Sequence, residues 1–460
     1  MTGTTGTVVE VTSPLDGSIV GKVRYAEAAA VEEAVAGAAA AVAVGRELPA
    51  HARAAALDHI SARLAARAEE FAELITAENG KPVVWARAEV GRAVSTFRWA
   101  AEEARRFSGE LQRLDTDATA TGRVAMVRRF PRGAVLGISP FNFPLNLVAH
   151  KIAPAIAVGA PIVLKPAPKT PLTALLLAEV IAETELPPGL VTVLLVPDAD
   201  MDALVVDERL PVVSFTGSER VGRHIAELVP HKHVTLELGG NAAVVVARDW
   251  ADLGWAADRV ATFGNYQAGQ SCIGVQRVLV DEAIADEFVE LLVAKVEALD
   301  PAAVVGPVID DGAAARIEEW VGEATAGGAV VLTGGTREGR MVAPTVLRDA
   351  PPDSRVVCEE IFGPVLVVST FATVDEAFAT VNDSRYGLQA GVFTSDLRTA
   401  FAAHRDLEVG GVVIGDVPSY RADQMPYGGW KHSGVGREGL RSAMEDYTDT
   451  RVLVLTGIPL

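Results

Sequence analysis

The chain holds two cysteines, and their surroundings differ. Cys272 closes the segment FGNYQAGQSC, where a turn containing Gly and Gln lets backbone approach a ligand and presents a thiol free of bulky neighbours. A thiolate so placed can add to a carbonyl carbon. The competing reading, a small buried apolar residue, is the commoner fate of a free cysteine; it is the one taken for Cys358, just ahead of EEIFGPV. Glu237 lies in VTLELGGN, where an apolar strand runs into a pair of glycines and sets a carboxylate at the strand end. It reads either as a general base or as an edge-strand charge in water. Asn142, in the turn ISPFNFPL, reads either as an amide donor to a developing oxyanion or as an ordinary turn residue. These signals coexist with Lys165 in IVLKPAPKT and with Gly217 and Gly222 in FTGSERVG, where a strand, a Gly turn and a helix start suit a dinucleotide without matching GxGxxG. His231 and His233, in PHKHV, have no carboxylate or thiol nearby in sequence, so no metal site is expected and they read as an exposed turn.

The elements that must position these groups follow from apolar periodicity. Residues 26–75 and 85–107 carry apolar residues at helical spacing among Ala, Glu and Arg, which predicts amphipathic helices over a first lobe. From Gly122 to Ile138 the pattern turns strand-like. Helices then alternate with the short runs IVLKP, VTVLLV, VVSFTG and VTLELGG, predicting parallel strands joined by crossover helices. A second alternating set after Asn241, with AVVVA, VQRVLV, AVVLTGG, VLVVSTF and GVVIG, predicts a second α/β lobe. Open α/β sheets bind ligands beyond the carboxyl ends of their strands, where LKPAPKT and SFTGSER fall. No internal repeat or low-complexity linker separates the lobes.

At 460 residues the chain exceeds the ~250–300 at which a single core stops growing. A formal charge of -19 opposes binding to phosphate backbones or anionic membrane faces, so neither a nucleic-acid partner nor a membrane is expected. The N-terminal stretch lacks a basic region followed by an apolar run. The run from Ile152 to Leu164 is too short to span a bilayer, and that from Ala28 to Val44 is interrupted by Glu32 and Glu33. Two cysteines are too few for a disulfide framework, and a cytoplasmic setting with reduced thiols is expected.

Taken in order, PFNFPL, LKPAPKTP, FTGSERVG, ELGG, GQSC, EEIFGPV, NDSRYGL and the late PYGG make the chain resemble the aldehyde dehydrogenase superfamily over essentially its whole length. The resemblance implies oxidation of an aldehyde to the carboxylic acid with NAD or NADP, through a cysteine thiohemiacetal and thioester. It implies Cys272 as nucleophile, Asn142 with the backbone N–H of Cys272 as oxyanion hole, and Glu237 as the base that activates water. It carries Lys165 to the adenosine ribose, Gly217, Ser218 and Val221 to the dinucleotide turn and helix, Glu360 to the nicotinamide ribose and Phe362 beside the nicotinamide. Pro168 stands where NAD-preferring members commonly have a glutamate that repels a 2′-phosphate. Lys169 follows it, and Asp198 in LLVPDAD adds a negative charge, so the choice between NAD and NADP stays open.

Members that act on small anionic aldehydes place pocket arginines where this chain has Arg92, in EVGRAVSTF, and Arg421, in VPSYRADQMPYGG. Ser271 replaces an arginine that members acting on phosphate- or phosphonate-bearing aldehydes often carry, which disfavours a phosphorylated substrate. Phe143, together with Asn146 and His150 four apart on the helix LNLVAHKIAPA, completes the expected substrate set, with His150 equally readable as a satisfied core histidine. The expected substrate is a small polar aldehyde such as lactaldehyde or a semialdehyde. The alternatives are a CoA-acylating semialdehyde dehydrogenase, against which Glu237 argues, a cysteine hydrolase, for which no histidine lies in a partner motif, and a catalytically silent binding protein of the same fold. The resemblance also implies an α/β fold with a Rossmann-type dinucleotide-binding domain over 1–109 and 135–238, rejoined by 424–440. A catalytic domain over 239–423 and a β-strand oligomerisation element over 110–134 and 441–460 complete it. GRVAMVRRF and TRVLVLTG are expected to pair between subunits of a homodimer or homotetramer, the alternative being that both are satisfied within one chain.

Overall fold

Pro49 and Pro82 stand just ahead of helices, where a missing backbone N–H is harmless, and divide the Ala-rich N-terminal region. In the computed structural model this region forms α1 (Ala28–Glu47), α2 (Ala50–Ala66), α3 (Ala68–Asn79) and α4 (Val83–Arg106). Gly80, at φ 82°, closes α3 in the left-handed conformation that glycine adopts without steric penalty. The structure describes residues 6–457; the outermost residues of the ranges expected for the dinucleotide-binding domain and the oligomerisation element, 1–5 and 458–460, lie outside the described residues. α1 is long and apolar enough to cross a membrane, yet it lays Val35, Ala38 and Ala41 on the protein, and its Glu32 pairs with Arg209 at 2.6 Å. α2, α3 and α4 pack around α5 (Asn146–Val158), every residue of which is buried, through a core that includes Leu57, Ile60, Phe71, Phe97, Val148 and Ile152.

The first sheet orders its strands Gly434–Val435, His233–Glu237, Val212–Thr216, Val135–Ile138, Ile162–Lys165 and Val191–Val193. All neighbours are parallel except the first pair. The strand Val135–Ile138 has its sequence successor on one side and Val212–Thr216 on the other, which makes its carboxyl end a topological switch point. The second sheet runs Val330–Thr333, Thr345–Arg348, Val365–Phe371, Arg277–Asp281, Ala243–Val246, Gln389–Phe393 and Gly411–Ile414. It contains the five predicted runs and adds two strands. One of these, Gln389–Phe393, holds Ala390 and Gly391, poor β-formers whose strand is imposed by burial between two neighbours.

The expectation that GRVAMVRRF and TRVLVLTG pair between subunits meets a different arrangement. Thr448–Thr456 runs antiparallel along Arg123–Pro131 of the same chain, from Thr448 opposite Pro131 to Thr456 opposite Arg123, and Glu110–Arg113 flanks the other side. The short helix Leu440–Asp446 and the buried Tyr447, whose carbonyl accepts from the Arg132 N–H at 3.0 Å, deliver the tail to that edge. Among the described residues the outer edge of Thr448–Thr456 has no neighbouring strand, and Val452, Leu453 and Val454 are exposed.

Candidate active site

A cavity of about 760 Å³ opens at the switch point and is lined from both large sheets by Asn142, Lys165, Pro168, Gly217, Ser218, Val221, Glu237, Cys272, Glu360 and Phe362, among others. The helix Glu219–Leu228 starts at its wall, where unpaired backbone N–H groups favour an anion such as a diphosphate. Gly222 lets that helix sit close to the sheet, since a Cβ there would lie 2.3 Å from Leu238. Lys165 is paired with Asp198, which also lines the cavity; Lys169 is exposed and pairs with Asp310 at 3.4 Å, outside the lining. Glu360 accepts the Gly240 N–H at 2.9 Å, and burial pushes its carboxyl up to about 7. A Cβ on Gly239 would lie 2.3 Å from the Glu360 carboxylate, so the glycine pair keeps that group in place. Phe362 holds a left-handed backbone, φ 48°, with its ring edge-on to Phe141. An acceptor carboxylate, a lysine, a helix start and an aromatic ring along one cavity fit a dinucleotide.

Cys272 is reached through a strained turn. Gln267, Ala268 and Gly269 all have left-handed backbones, φ 43°, 57° and 66°, a conformation that non-glycine residues hold only where surroundings over-determine it. The Gln270 side chain supplies part of that restraint, donating to the Gln267 carbonyl at 3.2 Å and accepting from the Ile309 N–H at 2.9 Å. The Ser271 hydroxyl is engaged by the Tyr266 hydroxyl at 2.8 Å. The half-buried Cys272 Sγ stands 3.1 Å from the Tyr427 hydroxyl, and burial pushes its thiol up to about 12 against the favourable Tyr427 contact. Cys358, expected to be buried, is exposed, because the short helix Arg355–Cys358 ends at the surface.

Asn142 donates through Nδ2 to the Gln270 carbonyl at 3.1 Å, and its own carbonyl accepts from Lys81 Nζ at 2.7 Å. Lys81 also donates to Glu89 at 2.6 Å, while the other Glu89 oxygen caps α5 by accepting the Leu145 and Asn146 N–H groups. Glu237 ends its strand 2% exposed, and neither carboxyl oxygen has a hydrogen-bond partner among the described residues, so it is no edge charge in water. A Cβ on Gly428 would lie 2.8 Å from Glu237 Oε1, which explains one glycine of the PYGG motif as room for this carboxyl. Burial, then the Glu438 charge, raises the Glu237 pKa well above the usual range. Burial acts on Glu438 in the same direction, but Lys151 at 3.4 Å and Arg421 at 3.0 Å outweigh it and hold that carboxyl at about 2. Of the two buried carboxyls, Glu237 is the more readily protonated.

None of the six residues expected at the substrate lines this cavity. Arg92 donates to Asp423 Oδ1 at 2.9 Å and stands over the Phe143 ring at 5.8 Å. Asn146 Nδ2 and His150 Nε2 reach the same Asp423 oxygen at 3.2 and 2.9 Å. Both are 1% exposed, which corrects the expectation that they line a tunnel: three side chains converge on one carboxylate and close the space between them. Arg421 lies with its guanidinium 3.8 Å from the centroid of the Tyr427 ring, the ring whose hydroxyl touches Cys272. The Nε atoms of Arg92 and Arg421 are buried and have no acceptor among the described residues. His231 is exposed and pairs with Glu208 at 3.1 Å, whereas His233 opens a strand 3.7 Å from Asp446, so only the first marks the predicted turn.

Lys81, Glu89, Lys151, Asp423, Tyr427 and Glu438 escaped the sequence reading. One signal was present: Lys151 stands in the largely apolar LNLVAHKIAPA beside only Asn146 and His150 as polar residues, and a buried lysine demands a partner.

The profile of the aldehyde dehydrogenase family matches residues 1–453. The chain is 43% identical over 399 residues to a 3-sulfolactaldehyde dehydrogenase of Priestia aryabhattai, covering 85% of this chain and 83% of that protein. It superposes with a TM-score of 0.97 on the crystal structure of aldehyde dehydrogenase 21 from Physcomitrella patens in complex with the reaction product succinate, at 43% identity, covering 99% of this chain and 96% of that one. It also superposes, TM-score 0.92 at 35% identity, on glyceraldehyde-3-phosphate dehydrogenase from Methanocaldococcus jannaschii complexed with NADP, covering 97% and 98% of the two chains.

Proposed function

Because this chain belongs to the aldehyde dehydrogenase family and oxidises an aldehyde with NAD or NADP, we propose that its substrate is a small aldehyde bearing a carboxylate or sulfonate, of the semialdehyde class. The observation that carries this reading is the pair of buried guanidinium Nε donors on Arg92 and Arg421, unpartnered among the described residues, Arg421 beside the Tyr427 ring whose hydroxyl touches Cys272 and Arg92 on Asp423, two residues along the chain from Arg421. An anionic tail gives them the acceptors they lack. The named relatives act on or bind sulfolactaldehyde, succinate and glyceraldehyde 3-phosphate, all anionic.

Cys272 adds to the carbonyl carbon, and the resulting oxyanion takes hydrogen bonds from its own backbone N–H and from Asn142, whose Nδ2 keeps a second proton beyond the one given to Gln270. Bound dinucleotide supplies the hydride acceptor. Burial favours the neutral forms of the Cys272 thiol and the Glu237 carboxyl, so a positive charge brought into the cavity favours the thiolate and the carboxylate, with their protons passing to solvent. Once its own proton has passed to solvent, the ionised Glu237, with both oxygens unpartnered among the described residues, takes a proton from the water that attacks the thioester, which favours water over CoA as the acyl acceptor.

We further read 1–109, 135–238 and 424–440 as the dinucleotide-binding domain, 239–423 as the catalytic domain, and 110–134 with 441–460 as the oligomerisation element; the six-, seven- and three-stranded sheets each fall within one of these, whereas the two-stranded pairing of Tyr386–Gly387 with Trp430–Lys431 joins the first two. A homodimer or homotetramer is supported by two sheet edges, Thr448–Thr456 and Gly411–Ile414, that have no strand neighbour among the described residues and that a second copy can join. The acidic charge and the reduced thiols support a cytoplasmic enzyme.

Steady-state kinetics with NAD and NADP on succinic semialdehyde, lactaldehyde and straight-chain aldehydes, repeated on Cys272→Ala, test the reading. Preference for the anionic aldehyde and loss of turnover in the variant are expected. Preference for long apolar aldehydes overturns the substrate class, and full activity of Cys272→Ala overturns the chemistry.

A further inference from the structure

Among the described residues the Tyr427 hydroxyl has one hydrogen-bond partner, Cys272 Sγ at 3.1 Å, and no other group hydrogen-bonds that sulfur. The ring is fixed where it stands. The Tyr427 N–H donates to the Glu438 carbonyl at 3.0 Å and the Glu438 N–H donates to the Tyr427 carbonyl at 2.6 Å, so the two residues pair as an antiparallel bridge. Ile273 and Leu388 pack with Tyr427 in a small apolar cluster against which Cys272 lies, leaving Tyr427 4% exposed. The Arg421 guanidinium, 3.8 Å from the ring centroid, is itself held by the Glu438 carboxylate at 3.0 Å. A neutral thiol and a phenol can each donate to the other, but a thiolate has no proton to give, so once Cys272 ionises Tyr427 is the only donor in the pair. Burial holds the phenol well above its ordinary range, so it keeps its proton, while the Arg421 charge beside the ring polarises the O–H and strengthens it as a donor. The other charges around the sulfur are divided: Glu360 and Glu237, when ionised, oppose a thiolate, and Arg421 favours it.

We propose that Tyr427 is a further catalytic residue: its O–H donates to the Cys272 sulfur whenever that sulfur carries negative charge, first as attacking thiolate and again as leaving thiolate. The inference rests on Cys272 being the nucleophile and is independent of the substrate class. In the first step an electron pair on sulfur forms the C–S bond, the carbonyl π pair moves to oxygen, and the hydrogen bond from Tyr427 weakens as the charge leaves sulfur. In the last step the water oxygen bonds to the acyl carbon and one water proton passes to Glu237. The C–S bond then breaks, its electron pair returns to sulfur, and Tyr427 stabilises the thiolate without giving up its own proton.

The test compares Tyr427→Phe, which deletes only the oxygen and keeps the ring beside Arg421, with Tyr427→Leu, which deletes the ring. Alkylation of the ligand-free proteins by iodoacetamide is followed against pH, with Cys272→Ala as the blank for the exposed Cys358. In Tyr427→Phe the thiolate fraction at a given pH should fall about tenfold or more. Because a more basic sulfur attacks faster, the alkylation rate should fall by less, about threefold or more, with the melting temperature unchanged. Single-turnover reduction of dinucleotide should slow by a similar factor. Alkylation that is unchanged or faster in Tyr427→Phe overturns the proposal, since the phenol then gives the thiolate nothing. So does a fall accompanied by a melting temperature as low as that of Tyr427→Leu, because lost packing then accounts for it. Turnover retained in Cys272→Ala overturns the nucleophile on which the proposal rests; turnover lost there, with Tyr427→Phe unaffected, overturns the role of Tyr427 alone.

Discussion

Replacing Arg92 by glutamine separates recognition of charge from the chemistry at Cys272. Arg92 lies on α4, 30% exposed, with Nη2 on Asp423 at 2.9 Å and Nε free. A hydrogen bond to a charged group contributes about 1.5–3 kcal/mol, and partial exposure places this one toward the lower end, about 1.5–2 kcal/mol. At 1.36 kcal/mol per factor of ten, kcat/KM for an anionic semialdehyde falls about 10–30-fold. Glutamine keeps the helix, and Asn146 and His150 still donate to Asp423, so the fold should hold, which a melting curve checks. The assay compares succinic semialdehyde with uncharged butyraldehyde, and only the former should suffer. An equal fall for both aldehydes, or none for the anion, refutes a charge-reading role for Arg92.

Asn142→Ala removes one oxyanion donor and should lower kcat by about 10²–10³ with little change in melting temperature; a change confined to KM would speak against that role. Lys81→Met leaves Glu89 buried and uncompensated, and the chain should lose about 3–5 kcal/mol in chemical denaturation. An unaltered midpoint there would show that the pair does not hold the Asn142 loop. For the ligand-free protein, a thiol pushed up to about 12 is neutral at ordinary pH. Alkylation of Cys272 by iodoacetamide should therefore climb about tenfold per pH unit from about pH 7 to 10. A plateau below about pH 9 would place the thiol in a different electrostatic setting.

Contiguous signals made much of this legible. Gly217 sits between a buried strand and a helix start, and Glu237 between a strand and two glycines, so each residue's neighbours in sequence already state its geometry. The charges that set protonation are different in kind. Arg421 meets Glu438, Lys151 meets the same carboxylate, and Arg92, Asn146 and His150 meet at Asp423, pairs brought together only by tertiary packing. A single aspartate in YRADQMP looks the same in sequence whether it is solvated or buried beneath three donors. Strand pairing shows the same limit: the alternation in TRVLVLTG reveals a strand, but only the fold places it against Arg123–Pro131 of its own chain. Gln389–Phe393 carries weak β-propensity and owes its conformation to its neighbours.

The central claim is that Cys272 carries the acyl group and Glu237 releases it to water. In Glu237→Gln the nucleophile and Asn142 remain while the base is lost. Mixed with dinucleotide and an aldehyde that the unaltered enzyme oxidises, then quenched in acid, this variant should reduce one dinucleotide per subunit in a burst and stall. Peptide mass spectrometry should then find the acyl group on Cys272. A burst with no adduct on Cys272, or an adduct on another residue, would contradict the mechanism.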